Sequence, residues 1–159
     1  MEALTDCAYL HFTGNETIHG VQYATPPRPS PSLPIVGDLS SEFLSKPYPY
    51  AQLDGFYAGA QKNLGVAGLT VVGLSLEWLS QAQEDRHPNL PKILSYQAWI
   101  ENQSMLNTPS GFAWWVAVLV LRWIESCGGL ESIAKQNEKK ANLLYGCIDG
   151  SDFYTNRVQ

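Results

Sequence analysis

The sequence predicts an α/β fold, with a mainly parallel central sheet flanked by helices. Three observations carry that expectation: short apolar runs closed by turn residues, stretches of helical periodicity alternating with them, and a composition of 45% hydrophobic and 11% aromatic against 16% charged residues. Strands alternating with helices favour layered α/β architecture. At 159 residues the chain is long enough for one sizeable core. In open sheets of this kind ligands sit beyond the carboxyl ends of the strands, so the polar residues that follow each apolar run are the first candidates for chemistry.

Tyr9-Leu10-His11-Phe12-Thr13 reads as the first strand, closed by Gly14-Asn15. The stretch from Thr25 to Ser32 forms neither helix nor central strand, because its prolines remove backbone donors and fix φ; it reads as a surface loop, with an interdomain linker as the alternative. Leu33-Pro34-Ile35-Val36-Gly37-Asp38 is a second strand, ending in an acid, and a short helical turn follows around Ser41 to Leu44. Beyond a stretch rich in Pro and Tyr come two more strands, Gly55 to Ala60 and Leu69 to Leu74. The second of these is apolar throughout and so is expected to be buried on both faces.

Ser75 to Ala82 reads as a helix that runs out in the polar segment Gln83 to His87. A longer helix from about Ser110 to Cys127 places Phe112, Trp115, Val116, Leu119 and Trp123 on one stripe, with Trp114, Val118 and Leu121 on the other side. Such a helix is expected to be enclosed on most sides, and Gly128-Gly129 ends it. The last helix, about Leu130 to Ile148, is amphipathic through Ile133, Gln136-Asn137, Lys140, Ala141, Leu144 and Tyr145, with the Glu138-Lys139-Lys140 run facing solvent. Asp152 onward begins another strand.

The net charge of -5 offers no footprint for nucleic acid or an anionic membrane surface. Cys7, Cys127 and Cys147 are too widely spaced for a disulfide framework or a metal site, and are expected as reduced, buried thiols in a cytoplasmic protein. Met1 to Asp6 lacks the basic and apolar regions of a signal peptide. The run Gly111 to Leu121 is too short to cross a bilayer.

Three polar features follow the apparent strands: Asn15-Glu16-Thr17-Ile18-His19-Gly20, Asp38-Leu39-Ser40-Ser41 and Gln61-Lys62-Asn63. Singly, each has an ordinary reading as a turn cap, a helix N-cap or a solvated lysine. Lys62 is the least ordinary, because small residues surround it from Ala58 to Gly68. A lysine that forms a Schiff base needs its neutral amine, and therefore a partly desolvated position. A carboxylate on a neighbouring strand end, as Asp38 is, would then hold a protonated pyridine nitrogen. His19 is a structural or supporting residue, and His11 and His87 receive no role.

Together, Tyr57-Ala58-Gly59-Ala60-Gln61-Lys62-Asn63, the Asn15 to Gly20 run, Asp38-Leu39-Ser40-Ser41-Glu42-Phe43-Leu44-Ser45-Lys46-Pro47 and Ser104-Met105-Leu106-Asn107-Thr108-Pro109 resemble the phosphoserine aminotransferases. These are class-V, fold-type I enzymes that use pyridoxal 5'-phosphate. The resemblance implies transfer of an amino group from glutamate to 3-phosphohydroxypyruvate, giving phosphoserine and 2-oxoglutarate. It makes Lys62 the catalytic residue that holds the cofactor covalently and moves the substrate proton. Asp38 would hold the pyridinium nitrogen, Thr17 would bond near the phenolic oxygen, and Gln61 would contact the phosphate. Asn107 and Thr108 match the pair that reaches the other subunit's cofactor phosphate, which implies a homodimer with shared sites. No metal is implied.

The family pattern also calls for a phosphate-binding loop, a ring stacked on the cofactor and an arginine for the substrate carboxylate, and no motif equates Arg28, Arg122 or Arg157 with the last. The expectation is therefore an incomplete large domain over 1–148 and the start of a small C-terminal domain over 149–159, with doubtful activity alone. The alternatives are another fold-type I enzyme, or a non-catalytic module for dimerisation or interaction built on the apolar Phe112 to Trp123 helix.

Overall fold

The computed structural model describes residues 7–84 and 89–154. Its centre is a four-stranded sheet of β1 (Leu10–Thr13), β4 (Ile35–Asp38), β5 (Gly55–Gly59) and β6 (Thr70–Leu74), in the spatial order β1-β4-β5-β6. β1, β4 and β5 run parallel, while β6 returns antiparallel to β5 across the connection that holds Lys62. The mainly parallel α/β reading stands. A small hairpin, β2 (Asn15–Glu16) with β3 (Val21–Gln22), leaves the end of β1 and was not foreseen, being too short for a periodic signal.

Among the described residues four α-helices follow: α1 (Leu76–Glu84), α2 (Tyr96–Glu101), α3 (Gly111–Ser126) and α4 (Gly129–Asp149). α2 is capped by Ser95, whose side chain accepts from the Ala98 N–H at 3.3 Å. Its six residues carry too little pattern to be read from sequence. α3 ends where predicted, with Gly128 at φ 93°, a left-handed conformation that glycine adopts without steric cost.

The register alternates side chains between two faces. Phe12, Ile35, Leu39, Leu53 and Ala58 form the main buried cluster, with Phe43, Tyr48, Tyr50 and Phe56 packed against it. A second cluster joins Ala60, Leu64 and Ala117 to Phe43, Leu44, Leu69 and Val71, and so seats α3 against the turn after β5.

Several expectations need correction. β6 is not buried on both faces: it is an edge strand here, and Val72 is 41% exposed. α3 is not enclosed either. Its buried positions are Ala113, Ala117 and Ile124, and the aromatic stripe faces out, with Trp115 60% exposed. α4 buries Ile133, with Asn137 and Ala141 half-buried on the same side, while Leu144 and Tyr145 are exposed. The cysteines are free, but Cys7 and Cys147 are exposed and Cys127 is half-buried. Residues 152–154 form no strand, and the rest of that predicted strand, like Met1 to Asp6 and residues 85–88, lies outside the described residues. No helix among the described residues is long and apolar enough to cross a membrane.

Candidate active site

The site is organised by the loop that leaves β4. Asp38 ends the strand half-buried, paired in register with Thr13 on one side and Tyr57 on the other. Its Oδ1 accepts from the Ser40 N–H at 2.9 Å, closing a local turn. The next residues make one helical turn, with the Phe43 N–H on the Leu39 carbonyl at 2.7 Å, and Leu44 stops it at φ 63°.

Two neighbouring loops are fastened to this one. On the β5 side, the Gly59 N–H donates to Ser40 Oγ at 3.1 Å, and Asn63 Nδ2 donates to the carbonyls of Phe43 at 3.0 Å and Ser41 at 3.4 Å. Ala60 and Leu64 are buried on either side of the turn, which forces Gln61, Lys62 and Asn63 outward. Gln61 folds its carboxamide back over the Cα of Gly59. On the β1 side, the Gly14 N–H donates to the Asp38 carbonyl at 2.9 Å. Asn15 Nδ2 donates to Ser41 Oγ at 2.8 Å, and Ser41 Oγ donates to the Asn15 carbonyl at 2.6 Å. The hairpin carrying Thr17 is thereby held beside Asp38.

Asp38, Lys62 and Thr17 thus stand on adjacent loops at the carboxyl ends of parallel strands. Lys62 departs from expectation in being exposed rather than partly desolvated. Its turn points away from the core, and no hydrogen bond or ion pair engages its amine among the described residues. Asn107 and Thr108 are exposed in the loop between α2 and α3. No hydrogen bond among the described residues joins them to Lys62.

His19 is engaged locally: its backbone N–H donates to Glu16 Oε2 at 2.6 Å and its Nδ1 lies 2.8 Å from the same oxygen. His11, given no role from sequence, stacks on Tyr57 at 5.9 Å between ring centroids, with Nε2 3.1 Å from the phenol oxygen. Burial first, and the Asp38 charge next, push the Tyr57 hydroxyl above the ordinary range. A hollow of about 840 Å³ opens along β1 past Thr13, His19 and Arg28, but neither Asp38 nor Lys62 lines it. Arg28 donates to the Gln52 carbonyl at 2.6 Å and so anchors its own loop.

The family model for aminotransferase class-V matches residues 4–159. The chain belongs to the class-V aminotransferases. Within that family it is 46% identical over 153 residues to a phosphoserine aminotransferase of Acinetobacter baylyi, covering 96% of this chain and 41% of that protein. A phosphoserine aminotransferase of Azotobacter vinelandii is 43% identical over the same length. Among solved structures, the phosphoserine aminotransferase of Bacillus circulans subsp. alkalophilus superposes with a TM-score of 0.84 at 42% identity, covering 92% of this chain and 39% of that one. The PLP-bound phosphoserine aminotransferase of Trichomonas vaginalis gives 0.85 at 34%, covering 97% and 41%. This chain therefore spans about two fifths of the length of the curated relatives it matches.

The donor set suits pyridoxal phosphate. The Asp38 carboxylate stands at its strand end with one oxygen bonded to the Ser40 N–H and the Tyr57 hydroxyl beside it, and the exposed Lys62 amine, unpaired among the described residues, follows the next strand end.

Proposed function

We propose that this chain is the part of a phosphoserine aminotransferase that holds the pyridoxal 5'-phosphate. The single observation that supports this most is the stitching of the Thr17, Asp38 and Lys62 loops into one cluster at the carboxyl end of the sheet. The phosphoserine aminotransferase relatives support the narrower choice over other fold-type I enzymes.

The bound cofactor supplies an electron sink for the pair left on the substrate carbon. Lys62 is the nucleophile that holds it covalently and the base that carries the proton at the substrate's Cα. Asp38 keeps the ring nitrogen protonated by ion pairing. Thr17 donates to the phenolic oxygen and Gln61 to the phosphate. Asn107 and Thr108, exposed in the loop between α2 and α3, serve a second copy's site in a homodimer. The substrates are glutamate and 3-phosphohydroxypyruvate, the location is the cytoplasm, and residues 149–159 open a second domain. The exposed tryptophans of α3 favour burial of that face by further polypeptide or a second copy, which leaves an interaction module as the other reading.

The test mixes the chain with pyridoxal phosphate, follows its visible absorbance, reduces with borohydride and maps the label. The label is expected on Lys62, and Lys62→Ala is expected to abolish the absorbance. A folded chain that develops no absorbance, or a label elsewhere, refutes the reading.

A further inference from the structure

Among the described residues Glu42 is the buried ionisable side chain, 3% exposed. Its Oε2 accepts from Gln22 Nε2 at 2.9 Å, and Lys46 Nζ stands 4.0 Å away. Its other oxygen has no hydrogen-bond partner and lies against the Cα of Gly14, so close that any Cβ at position 14 would collide with it. Gly14 precedes the hairpin and Gln22 ends it, so one carboxylate touches both roots of the segment that carries Thr17.

Burial raises the pKa of Glu42, the expected consequence of enclosing a carboxylate with incomplete hydrogen bonding. An apolar side chain would fill the same space without that penalty. What an apolar side chain lacks is an acceptor that fixes Gln22.

We propose that Glu42 is a positioning residue, which holds the 15–22 hairpin, and with it Thr17, in fixed orientation against the Asp38 loop. The link to catalysis rests on the reading of Thr17 as a cofactor contact; the mechanical link does not. In the sequence Glu42 stands inside the Asp38 to Pro47 run with no role of its own.

Hydrogen exchange on the cofactor-free chain tests it. Gln22→Ala and Glu42→Leu are each expected to speed exchange of the amides between 15 and 23 about tenfold, as loss of one charge-assisted bond implies. Glu42→Gln, which retains an acceptor, stays within about threefold, and β5 and α3 are unchanged. Gln22 has an exposed side chain, so Gln22→Ala decides the matter if Glu42→Leu fails to fold. Exchange like the parent's in Gln22→Ala would show that the Asn15–Ser41 bonds hold the hairpin alone and would overturn the proposal, as would acceleration spread over the whole chain. In a second arm with pyridoxal phosphate, Gln22→Ala should shift the pH dependence of the visible band while borohydride still labels Lys62. If the parent chain takes up no cofactor, the proposed function falls and the exchange result still decides the latch.

Discussion

Glu16 uses both carboxylate oxygens on the turn that follows it, accepting from the N–H groups of His19 and Ile18 and from His19 Nδ1. Those backbone bonds, that of His19 first, hold its pKa below the ordinary glutamate value of 4.5. A depressed carboxylate pKa stabilises the fold above the unfolded value and loses that contribution as pH falls through the folded one. The hairpin tip is therefore expected to stay ordered at pH 5 and to loosen only well into acid, read from Glu16 carboxyl and His19 amide shifts in an NMR titration. A Glu16 midpoint at or above its ordinary value would contradict this. At this scale the sequence was informative about Lys62 and Asp38, because their residue types are distinctive directly after apolar runs. It was silent on Glu42 and on the Asn63 bonds to Ser41 and Phe43, which join residues 20 to 22 apart in sequence. Such pairings exist only once the loops have met.

α3 shows why an element can be legible while its orientation is not. With Trp, Val, Leu and Phe on every side, periodicity has no polar face from which to choose. Packing chose the side with Ala113 and Ala117, since small residues let the helix approach the Lys62 turn at Ala60 and Leu64. Enlarging that contact by Ala117→Leu should destabilise the chain by about 1–3 kcal/mol through overpacking. Trp115→Ala, on the outward stripe, should change stability by less than about 0.5 kcal/mol. Urea unfolding of the 159-residue chain checks both, and the opposite ranking would mean that the tryptophan face is the packed one. β6 was misplaced for a related reason: an apolar run shows that a strand suits a buried setting, not that two neighbours cover it here.

At the scale of the molecule, the described residues leave both edges of the four-stranded sheet unpaired, β1 on one side and β6 on the other, and the aromatic face of α3 exposed. Lys62 is exposed as well, on the outer side of its turn. Catalysis of this kind needs groups placed to within fractions of an ångström. The 159-residue span by itself is accordingly expected to convert 3-phosphohydroxypyruvate and glutamate no faster than a Lys62→Ala control, measured by release of 2-oxoglutarate; robust turnover would refute this. The sequence by itself determined the class of fold, the order of its main strands and helices, and the residue types at the strand ends, because period, turn chemistry and local motif are short-range properties. Only the tertiary structure decided that the Asp38 loop is the hub, that Glu42 is buried beneath the hairpin, and which face of α3 is turned inward. Those depend on shape complementarity between segments distant in the chain, which no local pattern encodes.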